Sequence, residues 1–71
     1  MKKLDLFIEI SQLICDFKAS VIEAKETNNP SRINHNLAWL IGEKVSEIET
    51  ISPEQARYFD KMMDDIFKGR L

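Results

Sequence analysis

One cysteine and one histidine, Cys15 and His35, occur in the 71 residues. That scarcity excludes a disulfide framework within the chain and the Cys/His sets that hold structural zinc. A nucleophilic Cys15–His35 pair would have to be assembled from separate helices with no motif to guide it. The plain expectation is Cys15 as a small buried hydrophobe and His35 as a surface imidazole. Two glycines and two prolines leave no glycine-rich phosphate cradle and no calcium loop. Asp60 and Asp64, four apart, could share a helical face as an acid/base pair or as metal ligands, but such pairs usually serve solubility. Neither catalysis nor a cofactor or metal is expected.

Long apolar runs are also missing: nothing approaches the roughly twenty residues needed to span a bilayer. Lys2-Lys3 precede an apolar run as in a signal peptide, but Asp5, Glu9 and Asp16 interrupt it and no small-residue cleavage site follows. Ten basic residues stand against twelve acidic ones, with no basic cluster larger than Lys2-Lys3, which argues against a role in neutralising phosphates or anionic lipid. The lone thiol adds a reducing compartment. A soluble, cytoplasmic protein is the expectation.

What the chain does have is helical periodicity, 44% apolar and 31% charged residues, and no segment that alternates with period two. Phe7, Ile10, Ile14, Phe17, Val21 and Ala24 recur at steps of three and four, predicting a long helix over 3–27 that ends at Thr27-Asn28-Asn29, where Asn tolerates the left-handed conformation. A second helix is expected over 30–49, with Asn29 as N-cap, Pro30 in the first turn, and Ile33, Leu37, Leu40, Ile41, Val45 and Ile48 as its stripe. Gly42 either permits a close helix crossing or is merely tolerated. Ser52-Pro53-Glu54-Gln55 has the pattern of a capping box and opens a third helix over 53–68, with Ala56, Phe59, Met63 and Ile66 facing inward and Gly69 as C-cap. The fold class is therefore all-α: a long antiparallel hairpin plus a shorter third helix, forming a single domain.

A domain this small buries only about 60% of the surface its unfolded chain exposes, so association is expected to complete it. The predicted first helix carries a second apolar line, Leu4, Ile8, Cys15 and Ile22. Either the other two helices cover it or it meets another subunit, and Ile8, Cys15 and Ile22 are taken as a homodimer interface. Trp39 falls off the second helix's stripe, beside His35, Glu43 and Ser46. It is either covered by the third helix or a symmetry mate, or it anchors a protein partner, with His35, Glu43 and, at the margin of the third helix, Tyr58.

The reading that follows is a non-enzymatic helical module that binds another protein and regulates or chaperones it, as a homodimer. The alternative is a small DNA-binding or nucleoid-associated transcriptional regulator, built on a helix-turn-helix of the second and third helices. There the recognition helix would present Glu54, Asp60, Asp64 and Asp65 to phosphate. A nucleic-acid surface would need to gather Arg32, Lys44, Arg57, Lys61, Lys68 and Arg70 on one face.

Overall fold

The structure is a computed structural model and describes residues 2–69. Three α-helices, α1 (Lys2–Glu26), α2 (His35–Glu49) and α3 (Pro53–Phe67), are joined by a 3-10 turn at Pro30–Arg32 and a short link before Pro53. No strand occurs among the described residues, which are 85% helical. The fold is all-α, and α1 runs through its whole length: 25 residues at 1.5 Å each give about 37 Å, close to the 39 Å long dimension of the molecule.

The helices run up, down and up. Glu9, near the start of α1, pairs with Lys44, near the end of α2, at 3.2 Å, and Glu23, near the end of α1, pairs with Arg32 at 3.0 Å. This crossed pairing makes α1 and α2 antiparallel. α3 then returns alongside α1, packing Phe59 against Phe7 (ring centroids 5.1 Å apart) and Phe67 against Phe17 (5.7 Å) with the rings tilted. Between them lies a core of Ile10, Ile14 and Phe17 from α1, Ile41 and Ile48 from α2, and Phe59 from α3, all essentially sealed from solvent.

The expected close of α1 is found in detail. Asn28 takes the left-handed conformation (φ 53°), its N–H donates to the Lys25 carbonyl, and the N–H of Asn29 donates to that of Ala24. This is a Schellman motif, which satisfies carbonyls that the last turn would otherwise leave bare. Gly69 closes α3 in the same hand, at φ 77° with its N–H on the Ile66 carbonyl.

The start of α2 differs from the expectation. Asn29 caps only the 3-10 turn, its Oδ1 accepting from the Ser31 N–H and hydroxyl. Ile33 is extended, and a second cap, Asn34, accepts from the Leu37 N–H at 3.3 Å. The Asn34 N–H in turn donates to the Ser20 hydroxyl of α1, tying the connection to the hairpin. α2 therefore begins at His35 rather than Pro30, and at 15 residues it matches α3 in length.

Ser52 is the N-cap residue of α3, but the capping box is not closed. The Ser52 hydroxyl makes no capping bond, and its N–H is already spent on the Ile48 carbonyl at 2.7 Å. With that donor taken, the Gln55 Oε1 is left buried without a hydrogen-bond partner among the described residues. Gly42 also departs from one expectation: a Cβ built there would meet nothing within 4 Å, so the residue enables no close crossing.

Candidate interaction surfaces

The same helical arithmetic that builds the core decides what it leaves outside. On α2, Ile41, Val45 and Ile48 face inward. Trp39 precedes Ile41 by two residues, about 200° around the helix, and points away from α1 and α3. It is 76% exposed, so α3 does not cover it. Residues three, four and seven positions further on, Gly42, Glu43 and Ser46, join Ala38 and Trp39 around a shallow hollow of about 400 Å³. The indole thus stands over a floor of small side chains, with the Glu43 carboxylate at its margin. The open space around Gly42 belongs to this hollow.

The other residues expected to accompany Trp39 are dispersed. His35 is exposed at the first position of α2 but lines a different cavity, at the end of the bundle. Tyr58 is exposed on α3 with its ring against Phe59 (5.5 Å) and borders neither hollow. Only Trp39 and Glu43 share one local surface.

The cavity at the bundle end, about 380 Å³, exists because α1 outruns α3. Phe17, Val21 and Ala24 form its floor, Ile66 and Phe67 one wall, and Pro30, Ile33 and His35 the other. Phe67 is its exposed lip. Sequence reasoning missed it, since only the relative ends of α1 and α3 create it.

The second apolar line of α1 is open to solvent along its length. Leu4, Ile8 and Ile22 are large exposed hydrophobes, and Cys15 is an exposed free thiol. The expectation that Cys15 is a buried hydrophobe within the chain is therefore corrected: it lies on the side of α1 turned away from α2 and α3. Cys15 and His35 line different hollows. A depression of about 310 Å³, bounded by Phe7, Ile8, Ser11, Gln12 and Cys15, sits on this outer line.

Of the six basic residues that a nucleic-acid surface would gather, three are in local ion pairs, while Arg57 and Lys61 are exposed on α3. Arg32 is bound by Glu23, Lys44 by Glu9, and Lys68 by Asp64 one turn earlier on α3. Arg70, the sixth basic residue a nucleic-acid surface would need, lies outside the described residues. Asp60 and Asp64 are both exposed, and no group of three or more His, Cys, Asp or Glu among the described residues could hold a metal ion. None of the helices searched is long and apolar enough to cross a membrane. Compared with family models, curated proteins and solved structures, the chain matches none.

Proposed function

We propose that this chain is a non-enzymatic helical interaction module, which binds another protein and regulates or chaperones it, acting as a homodimer in a reducing, cytoplasmic environment. The observation that carries the reading is Trp39: an indole left almost wholly in water on a helix whose inner face is fully used. Aromatic anchors of this kind supply much of the energy of protein contacts, while an unpartnered Trp gains nothing for the monomer. Glu43 and the small residues of the hollow shape the ground around it. His35 and Tyr58 take peripheral roles, since neither shares that hollow.

The pairing of Arg32, Lys44 and Lys68 with carboxylates supports a protein partner over DNA, because cations already neutralised release fewer counterions from a duplex. A gel shift with nonspecific duplex at low salt tests that choice, and tight salt-sensitive binding would overturn the reading.

The direct test is Trp39→Ala. Tagged wild-type and variant proteins are recovered from the native host, and the bound fraction of any co-purifying protein is compared. Loss of a buried aromatic anchor should weaken binding about thirtyfold, on the order of 2 kcal/mol. Circular dichroism of the isolated variant should be unchanged. A variant that retains the partner at wild-type affinity would remove Trp39 from the interface.

A further inference from the structure

The outer face of α1 has a charge pattern that selects one arrangement of two copies. Leu4, Ile8, Ser11, Cys15, Ala19 and Ile22 fall within about 40° of one another's mean direction on the helix, a stripe roughly 27 Å long and free of charge. Its centre lies roughly 145° from the middle of the core-facing side, so the other helices of the same chain cannot reach it. The stripe is bordered by opposite charges: Lys18 and Lys25 on one flank, Asp5, Asp16 and Glu23 on the other. Asp16 and Lys18 are exposed, and neither has an ion pair among the described residues.

We infer that two copies of this chain join through this stripe as a parallel, in-register pair of α1 helices, with Cys15 facing the partner's Cys15. A two-fold axis along the helices sets the lysine flank of one copy against the acidic flank of the other. Lys18 then lies level, to within about 3 Å of rise, with the partner's Asp16, and the contact repeats by symmetry. A two-fold axis across the helices would match each flank with itself, leaving Lys18 and Asp16 each with no opposite charge across the contact. The arrangement that pairs both is favoured over the one that pairs neither. The depression beside Ile8, Ser11 and Cys15 gives a partner side chain a place to seat, as knobs do in paired helices. One helix face is a small interface, so a concentration-dependent equilibrium is expected rather than a permanent dimer.

The inference rests on the homodimer part of the proposed function, and its test separates the two. Sedimentation of the wild-type chain from about 5 µM to about 500 µM reports association. In a Cys15→Ser background, Ile8→Cys and Ile22→Cys are made singly and treated with a short bismaleimide. The parallel pair predicts that each variant crosslinks with itself, and that mixing the two gives no crosslinked hybrid, since position 8 of one copy lies about 21 Å along the axis from position 22 of the other. Crosslinking only in the mixture would overturn the parallel arrangement while leaving a dimer. A chain monomeric at every concentration would overturn the arrangement and the homodimer together, without touching Trp39.

A charge swap gives a second, independent check on solvent-exposed positions. Lys18→Asp and Asp16→Lys should each weaken dimerisation roughly threefold to tenfold, and the combination should restore it. Failure of the combined variant to recover would reject the parallel pairing, since only that arrangement sets the two side chains opposite each other.

Discussion

Ile8 and Ile10 stand two residues apart on α1, with the same side chain and the same helical backbone. Ile10 is 0% exposed and Ile8 54%. The inner face of α1 meets α2 and α3, so its isoleucines and Phe17 interlock with Ile41, Ile48 and Phe59. The outer face meets neither α2 nor α3, and Leu4 and Ile8 on it are more than half exposed. Hydrophobicity is thus a demand that each residue makes equally, while geometry decides which demands one copy of the chain can meet. A helix with apolar stripes on opposite sides cannot bury both in a bundle of three, and the remainder is available for another molecule.

The sharpest way to break this comparison is to truncate both faces. Phe17→Ala should cost about 3 to 5 kcal/mol by leaving a cavity in the core, enough to unfold much of a domain with so little reserve. Ile8→Ala should leave the unfolding free energy of the dilute monomer within about 0.5 kcal/mol of wild type, because no cavity forms at an exposed site. Thermal melts followed by circular dichroism at low concentration check both. Similar losses at the two positions would mean that the outer face is packed within the monomer.

Gln55 offers a smaller test, at a half-buried position where the match is imperfect. Its Oε1 lacks a partner, and an unsatisfied buried acceptor costs on the order of 1 kcal/mol or more. Gln55→Met, similar in length and without the amide, should therefore raise stability by about 1 kcal/mol in urea unfolding. A loss would imply that the amide is satisfied in solution.

The smallest effects belong to the helix backbone. Gly42→Ala adds a methyl into open space and should stabilise α2 by about 0.5 to 1 kcal/mol, the propensity difference alone. Ser52→Ala should cost well under the roughly 1 kcal/mol of a working N-cap, because the hydroxyl makes no capping bond. Chemical denaturation resolves the two, and a loss of a full kcal/mol at Ser52 would restore the capping box.

Local signals account for most of the fold. The left-handed close at Asn28, the Gly69 cap and most of the three stripes depend on residues within one or two turns of each other and are found. Leu40, expected on the α2 stripe, is instead 37% exposed, because it lies about 100° around the helix from Ile41, at the edge of the face that meets α1 and α3. Errors arose where a local signal had a competitor. Asn29-Pro30 looked like the start of α2, yet Asn34 offered a second cap and gained a bond from its N–H to Ser20, fourteen residues away. Ser52 looked like half of a capping box, yet the end of α2 took its N–H first. Trp39 could be placed off the stripe by angle, but its exposure depended on where α3 lay.

By itself the sequence determined the helical class, most of the inward residues of each helix, and the existence of a second apolar line on α1, because a period of 3.6 residues is a property of the chain alone. The tertiary structure decided that this line and Trp39 face solvent, that His35 and Tyr58 stand apart from the Trp39 hollow, and that a cavity opens where α1 extends past α3. Those features depend on how three rigid rods of unequal length are set side by side, and no periodicity within a single rod encodes the position of its neighbours.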